Sequence, residues 1–82
     1  MTTYYFQKDK KSRSRTGGTN YLFTVWKHTR SGLKKLGEFT INTASYYGDL
    51  PEVHRFIAKK EGYTLSDRGY KLKRKDIKVK YL

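Results

Sequence analysis

Two histidines, His28 and His54, are the side chains able to move a proton near neutral pH. Cleavage of a phosphodiester needs a base, an acid and a cation beside the phosphate. His54 with Glu52 or Arg55 is the local grouping that comes nearest to this. The chain has no HExxH, no CxxC, no phosphate-binding loop and no serine elbow. Its acids are Asp9, Glu38, Asp49, Glu52, Glu61, Asp67 and Asp76; several stand where caps or turns need them, and no two are spaced to hold a metal. The expectation is a non-catalytic protein with no cofactor and no metal, a small basic ribonuclease being the less favoured reading.

The stronger chemical signal is charge. The 82 residues carry 19 Lys and Arg against 7 Asp and Glu, a formal charge of +12. A surface so basic attracts phosphate backbones at long range, so nucleic acid is the first partner to consider. The cations fall in three clusters. Arg13 and Arg15 belong to a first, with Lys8, Lys10 and Lys11. Lys27, Arg30, Lys34 and Lys35 make a second, and Lys71, Lys73, Arg74, Lys75, Lys78 and Lys80 a third. Lysines would neutralise phosphates, whereas the fixed donor fork of Arg13, Arg15 or Arg30 suits a groove. Aromatic residues make up 16% of the chain and are interleaved with this charge, so there is enough apolar surface to fold. Trp26, Tyr46 and Tyr47 are the candidate aromatic contacts. Trp26 is read first as core or half-core; facing out beside Lys27 and Lys35 it would stack on a base. Tyr46 and Tyr47 are adjacent and cannot both point inward.

These side chains must be positioned by a small scaffold. The stretch 20–41 reads as a hairpin: Tyr21, Phe23 and Val25 alternate with Leu22, Thr24 and Trp26, then Arg30-Ser31-Gly32 turns the chain back through Leu33–Ile41. Leu33, Phe39 and Ile41 share one parity and Leu36 the other, so a bulge or bend is expected near Gly37. A helix is expected next. Asp49 stands three residues before Glu52 as a capping box, Pro51 lies in the first turn, and Gly62 stops the helix. At the helical period Leu50, Val53, Phe56 and Ile57 form one stripe that should cover the sheet. Ser66-Asp67-Arg68-Gly69 suggests a second short hairpin. Beyond it Lys78 and Lys80 lie opposite Ile77, Val79 and Tyr81, a half-buried strand with a positive outer face.

The expected fold is α+β: a small antiparallel sheet of three to five strands with one helix packed on one face. Residues 1–19 are read as a flexible basic arm, with a short edge strand over 3–7, and residues 20–82 as a single domain. The chain holds no cysteine, and no segment approaches the roughly 18 apolar residues of a membrane span. The first residues lack the apolar run of a signal peptide. A cytoplasmic location is expected, and a homodimer or a bound partner would help so short a chain.

Residues 21–58 run as a strand, a basic turn, a strand ending Leu36-Gly37-Glu38-Phe39-Thr40, and a helix. This pattern resembles AP2-type and integrase N-terminal domains, in which a three-stranded sheet lies in the DNA major groove with a helix behind it. The resemblance covers less than half of the chain, and the helix, which starts Leu50-Pro51-Glu52, is not the Ala-rich one of those domains. It implies a DNA-facing surface at Trp26, Lys27, Arg30, Lys34, Glu38 and Thr40. Size and the many Tyr and Lys also resemble small proteins of phages or mobile elements. The functional expectation is a small DNA- or RNA-binding protein, DNA first, held mainly through the backbone, in a regulatory or accessory role. The rival is a protein-interaction module docking on an acidic surface of a larger enzyme, with Tyr46, Tyr47 or Trp26 as anchors.

Overall fold

A computed structural model describes residues 2–13, 17–45, 47–69, 71–74 and 76–82, without the side chains of Ser12 and Arg13. Three strands, β1 (Thr2–Arg13), β2 (Thr19–Thr29) and β3 (Gly32–Asn42), precede helix α1 (Asp49–Glu61) and strand β4 (Ile77–Tyr81). The sheet order is β3-β2-β1-β4. β1 and β3 are antiparallel to β2, while β4 runs parallel to β1. The fold is thus α+β with one helix on a four-stranded sheet, mixed rather than wholly antiparallel.

The helix explains the parallel pair. Its first residue, Asp49, meets Lys8 at 3.2 Å, and its last, Glu61, accepts a 2.8 Å hydrogen bond from the Tyr4 hydroxyl. α1 therefore runs antiparallel to β1 and returns the chain to the Thr2 end, where β4 starts opposite Thr2 at Ile77.

Of the flexible arm expected over 1–19, residues 8–13 instead continue β1. Tyr4 and Phe6 are buried and fix the register against β2, so the backbone ladder runs on through the basic stretch. Lys8 takes an inward position without an apolar side chain. Its ammonium pairs with Asp49 and lies 4.3 Å from the centre of the Tyr21 ring. Nor is 3–7 an edge strand, because β1 is flanked on both sides.

The β2–β3 hairpin forms as expected. Gly32 takes a left-handed φ of 110° at the turn, and the Thr29 hydroxyl donates to the Gly32 carbonyl at 2.8 Å. The expected bulge is present: Val25 pairs with Gly37 but Trp26 with Lys35, leaving Leu36 as the extra residue. Gly37 is needed there, since a Cβ would stand 2.8 Å from Cζ of Phe56. Past the bulge the parity reverses. Phe39 and Ile41 pack on the core, and Leu33, 45% exposed, does not.

Tyr4, Phe6, Phe23, Val25, Val53, Ile57, Ala58, Leu72 and Ile77 form the core between sheet and helix. Phe6, Phe23, Phe39 and Phe56 are stacked in succession, with ring centres 6.3, 5.0 and 4.8 Å apart. Two details of the helix differ from expectation. Gly48, not Asp49, is the N-cap, and no side chain caps the helix, because the Asp49 carboxylate turns to Lys8. Leu50 is exposed, since it sits in the first turn beyond the core and lines a cleft with Phe6, Pro51, Val79 and Tyr81. Gly62 ends the helix with a left-handed φ of 73°, donating to Ala58 at 2.9 Å. The second hairpin shrinks to one bridge, Leu65 with Leu72, supported by a 2.7 Å bond from the Ser66 amide to the Lys71 carbonyl.

Candidate nucleic-acid interface

Side chains alternate across a sheet, so each strand divides its residues between the helix-covered face and the opposite one. Buried Tyr4, Phe6, Phe23 and Val25 mark the covered face. The other face belongs to the intervening positions, and no described element packs over it. It carries Leu22, Thr24, Trp26 and His28 of β2, Thr3, Tyr5, Gln7 and Asp9 of β1, Leu33, Lys35, Glu38 and Thr40 of β3, and Lys78 and Lys80 of β4.

One row crosses all four strands. Lys35 pairs with Trp26, Trp26 with Tyr5, and Tyr5 with Lys80. Two aromatic rings at the centre are therefore flanked by a lysine on each outer strand, three interstrand spacings or about 14 Å apart. Lys78, two residues before Lys80, adds a third cation on the same edge, and the exposed Arg30 stands on the turn at this end of the sheet. Trp26 and Tyr5 are half-buried, and the Tyr5 ring meets His28 edge-on at 6.4 Å. The other half of the face is less basic. It begins at Glu38, which holds Lys35 in an exposed 3.5 Å ion pair, and includes Asp9. Lys78 and Lys80 have no ion-pair partner among the described residues.

The remaining expected site residues separate from this row. Lys27 and Lys34 pair with each other on the covered side. Lys27 reaches Glu61 at 3.0 Å, which holds its ammonium above the usual lysine value. Burial pushes the Glu61 carboxyl up, but the Lys27 ammonium, the Tyr4 hydroxyl and the charges of Lys27 and Lys34 outweigh it and leave it below the usual range. The Tyr4 hydroxyl shares a 2.9 Å bond with Tyr63, and burial, then Tyr63 and Glu61, drive its pKa upward. This cluster ties β1, β2 and the helix end together. Of the hairpin lysines Lys34 therefore does not share the face of Lys78 and Lys80; the Leu36 bulge puts Lys35 there instead. Of the positions implied by the DNA-reading resemblance, Trp26, Glu38 and Thr40 lie on the open face, and Lys27 and Lys34 do not. Trp26 faces away from the helix rather than into the core.

Lys71, Lys73 and Arg74 gather on the helix side around His54, with Ser66 and Ile77. Arg74 is bound to Asp76 through two bonds of 3.1 and 2.6 Å. His54 accepts the Leu72 amide at Nδ1, and burial, then the Lys71 charge, lower its pKa. Glu52, two residues away on α1, does not share its side of the helix. Tyr47 is 58% exposed, with the Arg55 guanidinium 5.7 Å from its ring centre. Arg13 stands at the end of β1 away from the turn, without a described side chain. Arg15, Tyr46 and Lys75 lie outside the described residues.

Tyr5 and His28 were not among the expected contacts. Tyr4-Tyr5-Phe6 held the signal for Tyr5, since three successive strand residues cannot all face one core. Among the described residues no three His, Asp or Glu are grouped to hold a metal, and no helix is long and apolar enough to cross a membrane. Comparisons with protein-family models, curated proteins and solved structures give no match for this chain.

Proposed function

We propose that this protein binds nucleic acid without catalysing a reaction on it, through the uncovered face of its sheet, as a regulatory or accessory component in the cytoplasm. The single observation that carries the reading is the row Lys35–Trp26–Tyr5–Lys80, with Lys78 unpaired beside it. Lysines on both edges meet phosphates, and the exposed Lys35–Glu38 pair is weak enough to be exchanged for a phosphate contact. The test is a titration with duplex DNA, single-stranded DNA and RNA at about 50 and 200 mM salt. Affinity should fall steeply between the two. Failure to retain any nucleic acid at either concentration overturns the reading.

A second reading rests on a different surface. Leu50 and Tyr81 are exposed and line a cleft of about 640 Å³ with Phe6, Pro51 and Val79, the Lys8–Asp49 ion pair standing at its side. An apolar patch of that kind fits a protein partner. Its binding would change little with salt, which separates the two readings.

A further inference from the structure

We infer that the open face is a stacking platform for unpaired bases, so that the preferred ligand is a single strand of DNA or RNA rather than a duplex. The inference deepens the nucleic-acid reading above and depends on it.

The two aromatic residues sit on the inner strands, β1 and β2, as direct cross-strand partners. Their Cβ atoms are therefore about 4.5–5.5 Å apart, so both rings rise from one patch in the middle of the face. Both are half-buried, and edge contact with His28 supports the Tyr5 ring. A ring already braced by neighbours loses little freedom when a base lies on it. The cations are placed differently: Lys35 is on β3 and Lys78 and Lys80 are on β4, to either side of the rings. Bases over the centre with phosphates at the rim is the arrangement a single strand needs.

A duplex needs another arrangement. Its bases face each other, and their edges are read most often by the fixed forks of arginine or by the amides of Asn and Gln. Among the described residues no arginine lies on the strands of this face and Arg30 is on the turn, while the Gln7 amide stands in the row of Thr24 and Glu38, outside the half that holds the lysines. Rings in the middle of a duplex-facing surface would meet sugar and phosphate, or would have to unstack a base step. Glu38 and Asp9 on the far half also repel a long rigid polyanion laid across the whole face. A flexible strand can keep to the half that holds Arg30, Lys35, Lys78 and Lys80.

Trp26 is the only tryptophan, so its fluorescence reports directly on the platform. The full chain is titrated with an oligo-dT strand, an oligo-U strand of equal length, and a duplex of that length, all at the same salt. Saturable quenching by either single strand, with the duplex at least about tenfold weaker, is the expected result. A labelled single strand followed by anisotropy then gives affinities for Trp26→Ala, Trp26→Phe and Tyr5→Leu. The loss for Trp26→Ala should lie between about 5- and 150-fold, the worth of one stacked base, and Trp26→Phe should recover most of it. Should Trp26→Ala fail to fold by circular dichroism, Tyr5→Leu supplies the same comparison on folded protein. Duplex binding as tight as single-strand binding, with Trp26 unquenched, overturns the platform and leaves nucleic-acid binding standing. No binding of any of the three overturns both.

Discussion

The two faces of the sheet are built from alternate residues of the same strands, yet only one of them meets the acids at the two ends of α1. On the covered face Lys8 is matched by Asp49 and Lys27 by Glu61, acids from the two ends of α1. On the open face Lys78 and Lys80 are unmatched among the described residues, and Lys35 is seen with an exposed partner, Glu38. A count of cations along the chain would direct attention to residues 71–75. Of these only Arg74 is seen paired, with Asp76, and Lys71 and Lys73 have no ion-pair partner among the described residues either; what directs attention to the open face is the Trp26–Tyr5 pair between its lysines. Trp26 and Phe23 make the same contrast on one strand. Phe23 is fully buried in the aromatic stack, and Trp26 faces the open side.

Substitution on one strand gives the largest effect. Phe23→Ala should cost about 3–5 kcal/mol in denaturant unfolding, whereas Thr24→Ala, one residue on and on the other face, should stay within about 0.5 kcal/mol. Equal losses would break the division into faces. Next in size is a comparison of lysine pairs. Lys78→Gln with Lys80→Gln should weaken nucleic-acid binding on the order of tenfold near 0.1 M salt and flatten the log–log salt slope by about 1.5. Lys71→Gln with Lys73→Gln should leave the slope nearly unchanged. The reverse result would move the interface to the helix side.

Tyr4→Phe sharpens the account of the covered face. It removes a hydroxyl bonded to the Glu61 carboxylate and to Tyr63, and should cost about 1.5 kcal/mol by the same unfolding assay without altering the salt slope. The smallest effect is with pH. His54 has a lowered pKa in the fold, so the unfolded chain takes up its proton first on acidification. Stability should therefore fall as pH drops below about 6.5, by at most about 1.4 kcal/mol per unit, until the folded value is passed. Glu61, also lowered, adds a loss in the same direction at more acid pH. Thermal unfolding of His54→Asn, which keeps an acceptor for the Leu72 amide, should lose the first part of this fall.

Much of the scaffold was legible in the sequence because local rules decide it. The β2–β3 hairpin follows from period-2 patterning and the turn glycine, and the helix end from Gly62. The outward placing of Lys78 and Lys80 follows from strict alternation in β4, with Ile77 and Val79 on the core side. What was hidden depended on partners distant in the chain. The basic half of β1 reads as an arm because Lys8 stands where an apolar residue would, and its contacts with Asp49 and Tyr21 lie far off in the chain. The parallel β1–β4 pair depends on where α1 delivers the chain. The choice between Lys34 and Lys35 turned on the placing of a single bulge residue, Leu36. A bulge near Gly37 was readable; which residue it extruded was not, and that one position moves each lysine before it to the opposite face.

The central claim is that ligand meets the open face and not the helix layer. The direct test is to follow backbone and side-chain chemical shifts of isotope-labelled protein while a short oligo-dT strand is added. Changes centred on Tyr5, Trp26, Lys35, Lys78 and Lys80, with His54, Lys71 and Lys73 still, are the expected result. Changes centred on His54 and residues 71–74, with the Trp26 indole unmoved, would contradict it.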